Sequence, residues 1–238
     1  MFSINPEKIL YLDIETVPAF ENYNAMPERF RLCWDKKAAL LAKKQNEEDE
    51  TPESIFNRAG IYAEFGKIVC ISVCMFHKER LRVKSYYGDD EAALLLEFAD
   101  MLNKSKSGRK IAYLCAHNGK EFDFPYIGRR MVVHGIPVPD LLECRNKKPW
   151  EVPLLDTMDL WRFADRKDYT SLETLTTLFN LPSSKDDLTG AEVYECYYQQ
   201  KDLERIKKYC QQDAVAVARL MMKYQNLPDI ADENIVYV

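Results

Sequence analysis

The sequence predicts an α/β protein on a mixed five-stranded sheet, an antiparallel meander followed by parallel strands, flanked by helices. Three observations lead there. Apolar runs of strand length come first, at 9–12, 67–76 and 81–86. From 92 onward, helical and strand patterns alternate, as they do when later strands return parallel to an earlier one. The composition is that of an ordinary globular chain, with 238 residues, 47% apolar and 30% charged, enough to bury a core within a single domain spanning 1–238.

The elements follow in order. Ile9-Leu10-Tyr11-Leu12 is continuously apolar, as a strand covered on both faces is, and it runs straight into Asp13-Ile14-Glu15. The stretch 20–62 reads as an insertion, with a helix at 32–44 and a solvated acidic turn at 45–54. The strands at 67–76 and 81–86 form the meander. Asp89-Asp90-Glu91 places acids at the positive end of a helix over 92–103, and a basic loop at 104–110 leads to a strand at 111–116. His117-Asn118-Gly119 is a turn, and 122–134 is a helix with Pro125 in its first turn, where a missing N–H costs little. A short strand at 152–156, a helix at 171–179, a turn at 183–187 and helices at 191–200 and 203–224, joined at Asp202, complete the pattern. The tail, 228–238, reads as loosely held.

The net charge of −5 argues against a protein that coats nucleic acid by charge alone. It is compatible with an enzyme that gathers carboxylates around divalent cations, because bound ions reverse the local sign. Seven cysteines with no C-x-x-C pair read as free thiols rather than a zinc site or a disulfide framework. Apolar runs are too short for a membrane span, and the first residues lack a secretory pattern. The expectation is a cytoplasmic chain without a membrane partner.

Three short patterns carry chemistry. Asp13 and Glu15, at i and i+2 on a strand, project from one face, while Ile14 points to the other. Alone, the pair is equally compatible with a solvent-facing strand end. Asp123 sits between Phe122 and Phe124 in the first turn of a helix, where an acid also complements the helix dipole. Tyr209 and Asp213, four apart on a helix, share a face, an arrangement that a tyrosine packed on the core would also give. Taken together they supply four carboxylates and a phenol from elements that can converge on one cleft. Oxygen ligands suit Mg²⁺ or Mn²⁺ rather than zinc, and two such ions can activate water and stabilise a departing oxygen at phosphorus.

The ordered set, Asp13-Ile14-Glu15, then Asn118 to Asp123, then Tyr209 to Asp213, resembles the DEDD exonucleases in their tyrosine-containing branch, which have a ribonuclease H-like fold. The phrases HNGKEFDFPYI and KYCQQDAVA are similar to the proofreading domain of B-family DNA polymerases and to stand-alone bacterial proteins related to it. No polymerase segment follows within these 238 residues, so proofreading in the same chain is not expected. The resemblance implies a 3′→5′ exonuclease that uses two divalent cations, Mg²⁺ or Mn²⁺, and releases nucleoside 5′-monophosphates. Asp13, Glu15, Asp123 and Asp213 are then metal-holding catalytic residues, and Tyr209 orients the attacking water.

Asn118, Phe122 and Lys185 are candidate substrate contacts, and Lys147, Lys148, Arg129 and Arg130 are further cations that phosphate could use or that are simply solvated. The implied partner is the 3′ end of a single strand, DNA in preference to RNA. A 3′→5′ exoribonuclease and a non-catalytic nucleic-acid-binding subunit are the alternatives.

Overall fold

The computed structural model describes residues 3–45, 49–105, 111–165, 169–182 and 187–238. Its strands are β1 (Ile9–Pro18), β2 (Gly66–His77), β3 (Arg80–Tyr87), β4 (Tyr113–Ala116), β5 (Leu154–Asp156) and β6 (Ile235–Tyr237). The α-helices are α1 (Glu28–Gln45), α2 (Glu91–Ser105), α3 (Asp123–Val133), α4 (Thr157–Arg162), α5 (Leu172–Leu178), α6 (Val193–Glu195) and α7 (Leu203–Tyr224). The sheet order is β5-β4-β1-β2-β3-β6. Strands β1, β2 and β3 form the antiparallel meander, and β4 and β5 run parallel to β1. The expected mixed sheet is therefore present, with six strands rather than five.

The sixth strand comes from the tail. Ile235 to Tyr237 pair in parallel with Leu81 to Val83. Arg219, nearly buried on α7, bonds the Ile230 carbonyl at 3.2 Å and the Asp232 carboxylate, drawing 228–238 onto the body. Three strand residues behind a polar stretch give too short a pattern to read from sequence.

β1 explains the placement of the core. Leu10, Leu12 and Ile14 belong to the cluster formed with Leu94, Leu95 and Phe98 of α2 and with Phe124, Ile127 and Met131 of α3. Ile9 and Tyr11 belong to the cluster formed with Ala214, Val217, Ala218 and Met221 of α7. Both faces are covered, which is why the strand opens as a continuous apolar run. It does not end at the acids but continues to Pro18, paired throughout with β2.

Two other differences from the sequence reading bear on the site. The stretch 157–161 is the helix α4, because the Asp156 carboxylate caps it by accepting from Met158 N–H at 2.9 Å. The predicted helix over 191–200 is the short α6 followed by a π turn at Cys196–Gln200. Lys201, at φ 56°, and the cap Asp202 then restart the chain as α7.

The stretch 20–62 packs around a separate apolar cluster that also takes in Phe65. Trp34 of α1 packs edge-on against Phe56 and Phe65, with Met26, Ala38 and Ile55 around it. The predicted turn at 183–187 and the basic loop at 104–110 fall largely outside the described residues. All seven cysteines are free thiols, and only Cys33 and Cys144 are exposed. Among the described residues, no helix is long and apolar enough to cross a membrane.

Candidate active site

The residues of β1 that face α7 run Ile9, Tyr11, Asp13, Glu15, Val17. The first two belong to one apolar cluster and Val17 to another, which contains Ile206, Tyr209 and Cys210 of α7. On α7 the same order recurs in reverse, with Tyr209 and Cys210 first, then Asp213, then Ala214 to Met221. The acids thus interrupt an otherwise continuous apolar contact between strand and helix. Carboxylate oxygens of Asp13, Glu15 and Asp213 lie within 4.8 Å of one another. The Cys210 thiol donates to the Asp13 carbonyl at 3.3 Å, pinning helix to strand beside the acids. A bulge falls at the same point. Glu15 pairs with Cys70 and Thr16 with Ile68, leaving Val69 unmatched, a device that re-aims side chains near functional sites.

Asp123 arrives from the other side. β4 stops pairing with β1 at Cys115, opposite Tyr11, so the edge of β1 is open where α3 begins. Asp123 is the first residue of α3 and is 4% exposed. It takes backbone hydrogen bonds from its own amide and from Ile14. Gly119 lets the preceding turn close, because a Cβ there would lie 2.4 Å from the Ala116 Cβ. Asn118 sits at φ 59° in the left-handed region, and its side-chain Oδ1 is buried with no partner among the described residues. Phe122, half-buried, packs on the Tyr126 ring at 5.4 Å.

The electrostatics follow from this crowding. Burial, then the charges of Asp213, Glu15 and Asp123, pushes the Asp13 carboxyl well above the usual range. Glu15 is raised in the same way, by burial and then Asp213. Burial pushes Asp123 up to about 8, with Asp156 and Asp213 adding to it and the backbone hydrogen bonds opposing. Burial and the neighbouring acids Asp213, Glu15 and Asp13 raise the Tyr209 phenol, which also hydrogen-bonds Asp213. One oxygen of Asp13, Oδ2, is buried without a partner among the described residues. Like charges this close, with an unsatisfied oxygen among them, fit a hard divalent cation.

Asp13, Glu15, Tyr209 and Asp213 are therefore brought together, and Asp123 joins them electrostatically from α3. Asn118 and Phe122 lie on the turn leading to Asp123. Lys185 lies outside the described residues. Arg130 is not available to phosphate, because it is buried in an ion pair with Glu91 at 2.6 Å. Lys147 and Lys148 lie in the loop entering β5, and β5 starts opposite Leu114, which pairs with Leu10, so that loop joins the sheet on the side of β1 that precedes the acids. Arg129 lines an apolar groove of about 500 Å³ along the outer side of α3.

Asp156 escaped the sequence reading. Its carboxylate accepts from Asn118 N–H at 2.9 Å and Lys120 N–H at 3.1 Å while capping α4, so one side chain fixes the turn that carries the second motif. The signal was an acid placed between a strand and a helix. His117 reinforces the join through Thr157 Oγ1 and the Thr170 carbonyl, both at 2.9 Å.

A mixed sheet with an antiparallel meander and parallel strands, flanked by helices, is the architecture of the ribonuclease H-like exonucleases. The family described as "predicted 3′-5′ exonuclease related to the exonuclease domain of PolB" matches residues 61–235, and the chain belongs to it. That match includes Asp123, Tyr209 and Asp213 but begins after Asp13 and Glu15, which only the fold places beside them. No curated protein matches the chain. Among solved structures, the family B DNA polymerase from the hyperthermophilic archaeon Pyrobaculum calidifontis is similar, with a TM-score of 0.54 and 14% identity over 90% of this chain. The chain spans about a quarter of that polymerase, 24% of its length.

Proposed function

We propose that this chain is a divalent-metal-dependent 3′→5′ exonuclease of the tyrosine-containing DEDD branch, which removes nucleoside 5′-monophosphates from single-stranded DNA. The observation that supports it best is the meeting of Asp13 and Glu15 with Asp213 and Tyr209 across β1 and α7. Asp13, Glu15, Asp213 and Asp123 would hold two Mg²⁺ or Mn²⁺ ions, which when bound supply an activated water and Lewis-acid stabilisation of the leaving oxygen.

The chain's own groups do the rest. Tyr209 stays protonated, because burial and the surrounding acids hold its proton, so its hydroxyl orients the attacking water rather than removing a proton from it. Asn118 Oδ1 accepts from the hydroxyl of the terminal sugar, completing its own hydrogen bonding. Phe122 contacts the terminal base. Water adds to the terminal phosphorus, the bond to the 3′ oxygen breaks, and a 5′-monophosphate leaves.

The test uses DNA and RNA oligomers of one sequence, labelled at either end, with Mg²⁺ or a chelator. The 5′-labelled DNA should shorten stepwise, and the 3′-labelled DNA should release a labelled mononucleotide first. RNA should be cut more slowly, and chelator should stop the reaction. Asp13→Ala should be silent in the same assay. Full activity in that variant, internal cuts, or label leaving first from the 5′ end would end this reading.

A further inference from the structure

The acid cluster repels the polyanion it would cut, and the chain as a whole carries −5. Affinity for a strand must therefore come from local cations near the acid-bearing end of the sheet. α1 supplies them. It carries Arg29, Arg31, Lys36, Lys37, Lys43 and Lys44 against Glu28 and Asp35. Three of these residues are turned toward the insertion's own rings. Asp35 accepts from the Tyr23 hydroxyl at 2.8 Å, Arg31 lies over Tyr23, and Lys37 lies 4.1 Å from the centre of the Tyr62 ring.

The solvent face then reads Arg29, Leu32, Lys36, Leu40, Lys43, all exposed. The spacing of three or four keeps them on one stripe. Leu32 and Leu40 are 56% and 67% exposed. At 1.5 Å per residue the stripe from Arg29 to Lys43 is about 21 Å long. Its anchorage is close to the acids. Trp34 packs on Phe65, whose carbonyl accepts from Ala19 N–H at 2.8 Å. Ala19 is four residues past Glu15, about 13 Å along an extended chain. Gly60 packs against Val17 and Pro18 so closely that a Cβ there would meet the Val17 backbone at 3.0 Å.

We propose that the exposed stripe of α1 is the surface along which the single strand lies on its way to the site, with cations on phosphates and leucines against bases. This rests on the nuclease reading, and it gives the insertion a role that the acids do not. The test is the charge-reversed variant Arg29→Glu/Lys36→Glu/Lys43→Glu, with Lys36→Gln/Lys43→Gln as a milder partner and circular dichroism as the fold control. Two readouts are taken: anisotropy of a labelled single-stranded oligomer bound in chelator, and turnover of the p-nitrophenyl ester of thymidine 5′-monophosphate in Mn²⁺.

Oligomer affinity should fall about tenfold or more, and the slope of log K against log salt should shrink by about 2 in the triple variant. Turnover of the small ester should not change. Unchanged oligomer affinity, or an equal loss on oligomer and ester, overturns the proposal. A wild-type protein that binds the oligomer through these cations yet hydrolyses neither substrate would sink the nuclease reading and leave the binding surface standing.

Discussion

Two of the buried groups of charge are satisfied in opposite ways. Between α2 and α3, Glu91 accepts from Arg130 Nη2 at 2.6 Å, from His134 Nε2 at 2.7 Å and from the Ile68 amide at 2.7 Å. The remaining arm of Arg130 bonds the Ala63 carbonyl at 2.9 Å. Burial pushes Glu91 up, but these bonds outweigh it and hold its carboxyl below the usual range. On the α7 side of β1, burial and then the charge of Asp213 act on both Asp13 and Glu15, and these two carboxyls rise instead. One group is finished by the protein itself. The other sets like charges side by side and fits a group that carries positive charge. A buried ion pair that closes on itself belongs to the architecture, and a buried set of like charges marks a place for chemistry.

The sharpest way to break this comparison is to remove one acid. Asp213→Asn should lower mononucleotide release by about a thousandfold or more, equivalent to about 4 kcal/mol of barrier, while the metal-free melting temperature stays level or rises because a repulsive neighbour is gone. A fall in melting temperature with activity retained would make the acids structural and erase the distinction.

The converse change is Arg130→Ala. Removing one partner of a buried pair leaves the Glu91 carboxylate with only His134 and the Ile68 amide, a loss of about 3–5 kcal/mol, to be read by urea titration. Turnover per folded molecule should be close to that of the wild type at low temperature, since neither residue faces the acids. Loss of turnover in a fully folded Arg130 variant would show that the two groups are coupled through α3.

Tyr209→Phe tests a finer point. The phenol is held protonated among acids, so its contribution is one aimed hydrogen bond. Its removal should lower kcat about a hundredfold and leave KM close to the wild-type value. Full activity would remove Tyr209 from the reaction, and a loss as complete as that of Asp213→Asn would make it more than a guide for water.

How much of this was legible beforehand depended on range. The period-two placement of Asp13 and Glu15 and the four-residue spacing of Tyr209 and Asp213 are local, and both held in the structure. Their convergence is not local, because 197 residues separate Asp13 from Cys210, whose thiol joins β1 to α7. It became readable only through the resemblance of the ordered set to known exonucleases. Asp156 and the tail strand were missed for related reasons. Asp156 acts through hydrogen bonds to Asn118 and Lys120, about forty positions earlier, and β6 is three residues long with its stability supplied by Arg219 from α7. Arg130 was misplaced among possible phosphate contacts because a lone arginine on a helix gives no sign of a partner on another helix.

The smallest effect is the most diagnostic of what the acid cluster awaits. Asp13, Glu15 and Asp123 have folded-state values above the roughly 4 of an unfolded chain. Between about 4 and Asp123's value of about 8, these carboxyls bind more protons in the folded protein than in the unfolded one, outweighing the opposite effect of buried His117. Metal-free stability must therefore fall as pH rises through that window. Glu91 has the opposite sign: its folded value lies below its unfolded one, so its contribution is present above that unfolded value and is lost only as pH falls through the folded value. On the proposed reading, a divalent cation would replace the protons that the acids give up at high pH. Mn²⁺ at ten times its Kd should add about 1.4 kcal/mol near pH 8 and less near pH 5, where protons compete for the same oxygens. Melting curves at the two pH values, with Mn²⁺ and with chelator, measure this directly. In Asp213→Asn both the alkaline loss and the Mn²⁺ gain should shrink together, because one set of oxygens produces both. A Mn²⁺ gain that survives that substitution at full size would place the ion elsewhere on the molecule.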